Sequence, residues 1–221
     1  MTYCRGRDLF LAVDQEPSDL ACLGLMLRTC QALRQVHQAG FVHCDLKPDN
    51  VLVETDADGQ PQEVHIIDLG LACRGGHAFP RTARVASKPW YCPCFFDASP
   101  MQARCDLVGL AFSLGFLRDV MQRKHEELDA LLQRASDAQH ERRPSLEELI
   151  ALLQRLLREA GAQLPSCPEA PEAQQPADAA AVQDLSEAPA VEELSQAPEA
   201  PKAVDLSEMC RNFRAMNIFR R

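Results

Sequence analysis

One octet of the chain, His43-Cys-Asp-Leu-Lys-Pro-Asp-Asn50, gathers acidic, basic and amide side chains within a few residues. A further acidic residue, Asp68, follows a short stretch that contains two β-branched runs. Asn50 and Asp68 offer hard oxygen ligands, which are the kind that Mg²⁺ prefers. Asp45 and Lys47 add a carboxylate and an ammonium group to the same octet. The octet and Asp68 are therefore the first places in which to look for chemistry.

The elements on either side of the octet decide where these side chains lie. Apolar residues at helical spacing predict a helix over Asp19 to Gln38, directly before the octet. The runs Val51-Leu-Val53 and Val64-His-Ile-Ile67 are separated by turn-forming residues and predict a β-hairpin. We expect the hairpin to bring Asp68 back over Asp45, so that residues distant in sequence converge.

Three more helices are predicted in the second half of the chain. Leu107 to Met121 is apolar on nearly all sides, which is typical of a buried helix. Glu126 to Arg134 and Leu146 to Ala160 show the one-sided apolar pattern of amphipathic helices. Ser145 directly precedes the last of them and can cap its start.

The octet, the hairpin and the following Asp68-Leu-Gly70 together resemble the eukaryotic protein kinase family. The resemblance covers about residues 1–155 and corresponds to the hinge and the C-terminal lobe of that family. It implies Ser/Thr-type phosphotransfer from ATP with Mg²⁺, a reaction that needs mainly positioning and charge neutralisation. Asp45 resembles the catalytic residue that accepts the proton of the substrate hydroxyl, and Lys47 the lysine that steadies the transferring phosphate.

The same resemblance implies roles for the residues of the hairpin. Asn50 and Asp68 correspond to the magnesium ligands, and Leu52 to the aliphatic residue that packs beneath adenine. Other positions resemble structural residues of the family's C-terminal lobe, namely His43, Leu69, Asp106 and Arg143-Pro-Ser145.

The sequence also departs from the family pattern. No glycine-rich phosphate loop, strand lysine or partner glutamate precedes the hinge-like Tyr3-Cys4, so we expect the N-terminal lobe to be absent and the chain alone to be inactive. Cys44 stands where many kinases have Arg. Cys92-Pro-Cys94 stands where the family has Ala-Pro-Glu, and the lost Glu leaves Arg143 in need of another partner.

Two functions remain open after this comparison. One is a truncated or incomplete Ser/Thr protein kinase that acts on a protein substrate. The other is a catalytically inactive, kinase-derived half-domain that binds a protein partner. The net charge of −9 gives no general attraction to nucleic acid or to anionic membrane. The apolar runs are too short to cross a bilayer, so we expect neither partner.

Ten cysteines are scattered along the chain, several of them inside apolar helical stretches. This pattern favours reduced, buried thiols in a cytoplasmic or nuclear protein. Cys92 and Cys94 flank Pro93, but a zinc site needs two further ligands and none is evident at regular spacing. We therefore expect no zinc site.

The composition changes sharply near the end of the last helix. Residues 1–160 are predicted to form a mostly α, α+β kinase-like lobe with a small β-hairpin. Residues 161–204 are rich in Ala, Pro and Glu and are predicted to be a disordered linker, because they cannot bury enough apolar surface to fold. Residues 205–221 are predicted to be a short, basic, amphipathic segment.

Overall fold

The computed structural model describes residues 6–13, 17–56, 61–80 and 88–162. The hinge-like Tyr3-Cys4, most of the predicted linker and the predicted C-terminal segment lie outside these residues. The structure therefore bears on the predicted lobe, and the assignments for 163–221 stay predictions.

Within the described ranges the fold is mixed α/β and dominated by helices. The α-helices are α1 (Leu9–Val13), α2 (Asp19–Gln38), α3 (Asp106–Val120), α4 (Glu126–Ala135) and α5 (Leu146–Glu159). The last four are the helices that the sequence predicts, and their bounds differ from the prediction by about one residue at most. The predicted α+β class, mostly α, is confirmed for this part of the chain.

The strands form two small antiparallel sheets. They are β1 (Arg7–Asp8), β2 (Phe41–Val42), β3 (Val51–Thr55), β4 (Pro61–Ile66) and β5 (Cys73–Arg74). The predicted hairpin is confirmed as β3 and β4, and β1 extends that sheet on the other side of β3. The β2–β5 pair was not predicted, because strands of two residues are too short to show a period.

Side-chain caps explain where two of the long helices begin. The Oγ of Ser18 accepts a hydrogen bond from the Ala21 amide at 3.2 Å and starts α2. Ser145 and Glu148 form a reciprocal capping box at the start of α5, in which each side chain accepts from the other's backbone amide. Each box or cap satisfies amides that the first helical turn leaves without partners.

Helix α3 forms the centre of the main core. All its residues from Asp106 to Leu117 are buried, as its apolar sequence predicts. Gly109 lies so close to the octet that a Cβ atom there would be 2.3 Å from the backbone oxygen of Leu46. The missing side chain of Gly109 therefore allows the octet to pack directly on α3.

Candidate active site

The loop that contains the octet is anchored to α3 by one buried carboxylate. Asp106, which is 3% exposed, accepts hydrogen bonds at 2.8 Å from the backbone amides of His43 and Cys44. Its Oδ2 also lies 2.8 Å from Nε2 of His37 on α2. A buried carboxylate is tolerated when its oxygens are hydrogen-bonded in this way. We refer to residues His43–Asn50 as the octet loop.

His43 links the octet loop to the chain that follows the hairpin. Its Nε2 lies 3.0 Å from the backbone oxygen of Ile67, and its Nδ1 lies 3.3 Å from the backbone amide of Asp45. The oxygen of Ile67 can only accept and the amide can only donate, so the neutral Nε2–H tautomer satisfies both contacts. The side chain of His43 therefore fixes the backbone on both sides of the candidate site.

Asp45, Lys47 and Asn50 contact one another within the octet loop. The Nζ of Lys47 lies 3.1 Å from Oδ2 of Asp45. The amide nitrogen of Asn50 donates to the backbone oxygen of Asp45 at 2.9 Å and to its Oδ2 at 3.4 Å. Asp45 is 7% exposed, so these donors hold its carboxylate in one orientation.

Trp90 is the part of this site that the sequence analysis missed. Its indole Nε1–H donates to Oδ1 of Asp45 at 2.8 Å, and its ring lies 5.7 Å from the Nζ of Lys47. Burial and the nearby charge of Asp45 raise the pKa of the adjacent Tyr91. Only the proximity of Trp90 to the Cys-Pro-Cys motif could have drawn attention to it, because it lies 45 positions from Asp45.

Asp68 lies on the exposed side of the same region. The Ile67 amide donates to the backbone oxygen of Asn50 at 2.9 Å, which ties the start of this segment to the octet loop. Asp68 itself is exposed and has left-handed backbone angles (φ 62°, ψ 69°), and its Oδ1 accepts from the Gly70 amide at 3.3 Å. We refer to residues Asp68–Leu71 as the Asp68 turn.

The oxygen atoms of Asn50 and Asp68 fit a hard divalent cation. Asn50 donates to Asp45 through its amide nitrogen, so its amide oxygen can serve as a metal ligand. Asp68 uses one carboxylate oxygen for the turn and keeps the other. These ligands suit Mg²⁺ in type, because Mg²⁺ is bound by one or two protein oxygens together with water and phosphate.

Leu52, which is predicted to pack beneath adenine, and Leu69, which resembles a structural residue of the lobe, have different environments. Leu52 lies on β3, opposite Asp8 of β1 and His65 of β4, and is partly buried. Leu69 is 58% exposed and is the most exposed of the large apolar side chains in the described ranges. The structure thus holds Leu52 in a sheet, whereas Leu69 faces solvent.

Cys44 occupies a strained position at the base of the octet loop. Its φ angle of 68° is uncommon for a residue other than glycine. Its Sγ is buried and lies 3.5 Å from Sγ of Cys73, and burial together with the charge of Asp106 raises the pKa of the Cys44 thiol. Both thiols are free, as the sequence predicts for cysteines in this part of the chain.

Arg143 finds partners other than a carboxylate. Its side chain is 2% exposed and donates to the backbone oxygens of Asp137 at 2.6 Å and Arg104 at 2.9 Å. A further guanidinium N–H donates to Sγ of Cys92 at 3.3 Å. The ion pairs among the described residues do not include Arg143.

The expectation that Cys92 and Cys94 lack further potential metal ligands is wrong. Four ligand atoms lie within 4.8 Å of one another, and we call this group the Cys₃His cluster: Cys92, Cys94, Cys105 and His140. The last two ligands are separated from Cys-Pro-Cys by many residues, so no local spacing motif reveals them. Hydrogen bonding from Cys105 and the charge of Arg143 lower the pKa of the Cys92 thiol.

Comparisons with known proteins bear on the identity of the chain. The protein kinase domain family matches residues 1–174. The serine/threonine-protein kinase CG17528 of Drosophila melanogaster is 36% identical over 75 residues, which is 33% of this chain and 10% of that protein. The serine/threonine-protein kinase pkn3 of Myxococcus xanthus is 32% identical over 111 residues, which is 47% of this chain and 19% of that protein.

The matched part of this chain thus spans about a tenth to a fifth of the length of these relatives. In the described part of the chain no helix has the length and apolar character needed to cross a membrane. The family match covers well over half of the chain and includes the octet loop, the hairpin, the Asp68 turn and the helices packed on them. On these grounds the chain belongs to the protein kinase family.

Proposed function

We propose that this chain carries a Ser/Thr-type phosphotransfer centre in a kinase-like C-terminal lobe. The centre would transfer the terminal phosphoryl group of ATP to a hydroxyl group of a protein substrate. The observation that carries this proposal is the carboxylate of Asp45, which is buried and held by Lys47, Asn50 and Trp90. Such a fixed carboxylate is what a reaction that depends on positioning requires.

Each side chain of the octet loop has a defined task in this proposal. Asp45 aligns the substrate hydroxyl and accepts its proton. Lys47, whose Nζ lies 3.1 Å from Asp45, places a positive charge where the transferring phosphoryl group gains negative charge. Asn50 orients Asp45 through its amide nitrogen, and its amide oxygen would serve as a ligand of the metal ion.

Asn50 and Asp68 would hold the magnesium ion of the nucleotide. When it is bound, Mg²⁺ neutralises phosphate charge and orients the phosphates. Leu52 would pack against the adenine ring, which is consistent with its partly buried position on β3. The backbone hydrogen bond from Ile67 to Asn50 supports the proposal, because it holds the segment that leads into Asp68 next to Asn50.

A phosphotransfer assay with matched variants tests this function. The purified 221-residue chain would be incubated with Mg²⁺, labelled ATP and a generic Ser/Thr protein substrate. The absence of the phosphate-covering residues predicts that the chain alone is inactive, whereas the fixed carboxylate of Asp45 predicts slow residual transfer, and the assay decides between these two expectations. Residual transfer from this centre should be abolished by Asp45→Asn and kept by Asp49→Asn, because Asp49 is an exposed carboxylate of the same loop. Absence of transfer by the wild-type chain, or transfer that persists in Asp45→Asn, would contradict the proposal.

One feature of the site favours a second candidate, a catalytically inactive module that binds a protein partner. Both oxygens of Asp45 already accept from side chains of the same chain, with Trp90 on Oδ1. Leu69 of the Asp68 turn exposes 58% of its surface, and exposed apolar groups favour contact with another protein. An inactive octet loop beside an apolar surface suits binding better than catalysis.

Size-exclusion chromatography with light scattering tests this second candidate. We expect an interaction module to form oligomers or complexes that Leu69→Glu disrupts, with no effect of Asp45→Asn. Leu20→Glu is the matched control, because Leu20 is also exposed, at 42%, but lies on α2. A monomer that Leu69→Glu leaves unchanged would argue against this candidate.

A further inference from the structure

Beside the start of α3, the sulfur atoms of three cysteines surround one nitrogen atom of His140. The Nε2 atom of His140 lies 3.1 Å from Sγ of Cys92, 3.2 Å from Sγ of Cys94 and 3.7 Å from Sγ of Cys105. The sulfurs of Cys92 and Cys105 are almost wholly buried, with 3% and 2% of each residue exposed. The group is therefore shielded from solvent on most sides.

Hydrogen bonding alone does not account for this arrangement. An imidazole Nε2 carries either one proton or one lone pair, so it forms one good hydrogen bond. Thiols are weak donors and weak acceptors, which gives little reason for three of them to converge on one atom. A cation at the centre of the group gives every one of the four ligand atoms the same strong partner.

We propose that the Cys₃His cluster binds one structural Zn²⁺ ion. Cys₃His is one of the established ligand sets of tetrahedral structural zinc, with Zn–S distances of about 2.3 Å and Zn–N distances of about 2.0–2.1 Å. These distances place the sulfur and nitrogen ligands roughly 3.5 Å from one another. The observed separations of 3.1 to 3.7 Å around His140 agree with that value.

Four protein ligands leave no open position for water or substrate, which makes this a structural rather than a catalytic site. The ligands come from three short 3₁₀ turns, Pro93–Phe95 with its preceding Cys92, Ala103–Cys105 and His140–Arg142. Such turns contribute few hydrogen bonds of their own, so a metal ion is an effective way to join them.

The groups around the cluster also suit a metal–thiolate centre. The Gln102 amide donates to Sγ of Cys105 at 3.3 Å, and Arg143 donates to Sγ of Cys92 at 3.3 Å. Hydrogen bonds of this kind orient metal ligands and adjust their basicity. Three thiolates and one Zn²⁺ carry a net charge of −1, and this charge would compensate the buried Arg143, for which the described residues supply no ion-pair carboxylate.

The zinc ion would connect the cluster to the octet loop through Trp90. Trp90 lies two residues before Cys92, and its indole donates to Asp45. A metal that fixes Cys92 and Cys94 on the start of α3 would therefore also fix Trp90 over the carboxylate. Trp90 is the single tryptophan of the chain, so its fluorescence reports on this segment alone.

Metal analysis of the full 221-residue chain tests the proposal. The chain would be purified under reducing conditions without chelator, and its zinc measured by plasma mass spectrometry. We expect one zinc per chain, and after exchange with Co²⁺ we expect the absorption bands of tetrahedral cobalt–thiolate. A strong chelator should remove the metal and shift the emission of Trp90 towards that of a solvent-exposed indole.

A pair of cysteine variants makes the test specific to the cluster. Cys94→Ser removes one ligand, whereas Cys73→Ser changes another partly buried cysteine outside the cluster. We expect Cys94→Ser to weaken zinc affinity by at least about 100-fold in competition with a chromophoric chelator. Loss of a residue that only hydrogen-bonds to a metal ligand already lowers metal affinity by about 10–100-fold, and Cys94 is a ligand itself. We expect Cys73→Ser to keep one zinc per chain.

Measurements on the wild-type chain decide the question even if Cys94→Ser does not fold. A folded wild-type chain that takes up neither zinc nor cobalt would overturn the proposal. Equal loss of zinc in the two variants would overturn it as well, and so would a disulfide between cysteines of the cluster found after alkylation and peptide mapping.

Discussion

The octet loop and the Asp68 turn carry the two halves of the candidate site, yet the chain holds them very differently. Two backbone amides of the octet loop donate to Asp106, and its Asp45 carboxylate has three side-chain donors. The Asp68 turn has its own capping bond from Gly70 and an exposed leucine at its centre. Buried hydrogen bonds to the rest of the lobe therefore hold the octet loop in place, whereas the Asp68 turn is exposed and is held mainly by a bond within the turn.

This difference separates positioning from ligand binding. A carboxylate that aligns a hydroxyl must be in place before the substrate arrives, and buried hydrogen bonds hold it there. Oxygen ligands for a metal ion must remain open to water and phosphate, which is consistent with an exposed Asp68. Segments with few buried contacts are also those that open most readily. Variants that weaken one loop and spare the other test this comparison.

The largest expected effect comes from removing the anchor of the octet loop. Asp106→Ala should lower the free energy of unfolding by roughly 2–6 kcal/mol, because the two buried amides of His43 and Cys44 lose their acceptor at about 1–3 kcal/mol each. Chemical denaturation of the 221-residue chain measures this value. Asp49→Ala is the control on the same loop, and its exposed side chain predicts a change within about 0.5 kcal/mol. Equal effects of the two variants would contradict the anchoring role.

Two leucines compare the octet loop and the Asp68 turn directly. Leu46 is 1% exposed and Leu69 is 58% exposed. Leu46→Ala should cost roughly 2–5 kcal/mol because it leaves a cavity in the core. Leu69→Ala should change the free energy of unfolding by less than about 0.5 kcal/mol. A large cost for Leu69→Ala would show that Leu69 is buried in solution, which would contradict its assignment as a solvent-exposed residue.

A smaller effect is expected where the octet loop touches α3. Gly109→Ala should cost roughly 1–3 kcal/mol, because the new Cβ would lie 2.3 Å from the backbone oxygen of Leu46 and the loop would have to move. Gly24→Ala on α2 is the matched control. Its Cβ would meet only the flexible end of Arg28 at 3.2 Å, so the higher helix propensity of alanine should leave stability unchanged or improved. Thermal unfolding of both variants measures the two effects. An equal loss of stability in the two variants would show that the close contact between Gly109 and Leu46 is not the cause.

The sequence predicted the regular elements well because their signals are local. Apolar periodicity predicts α2 and α5 to within about one residue, and the cap at Ser145 marks the start of α5. The hairpin follows from two β-branched runs around a turn. The octet itself was recognisable because its residues are contiguous.

The sequence did not predict contacts made between distant segments. The bond from Trp90 to Asp45 and the meeting of His140 with three cysteines depend on how loops without periodicity pack on α3. The β2–β5 pair was missed for the same reason, since its position follows from the path of the chain. The resemblance marked Asp106 as a structural residue of the lobe, and the structure showed its three hydrogen bonds, two of which anchor the octet loop.

Magnesium-dependent nucleotide binding tests most directly whether the octet loop and the Asp68 turn form one site. Thermal or chemical stability of the 221-residue chain would be measured with ATP, with Mg²⁺ and with both at millimolar concentration. We predict a small stabilisation that requires both ligands, stays below the roughly 3 kcal/mol expected of micromolar affinity, and disappears in Asp68→Asn. Asp97→Asn, an exposed carboxylate outside the site, should keep it. A stabilisation that is independent of Mg²⁺, or that survives in Asp68→Asn, would contradict the account.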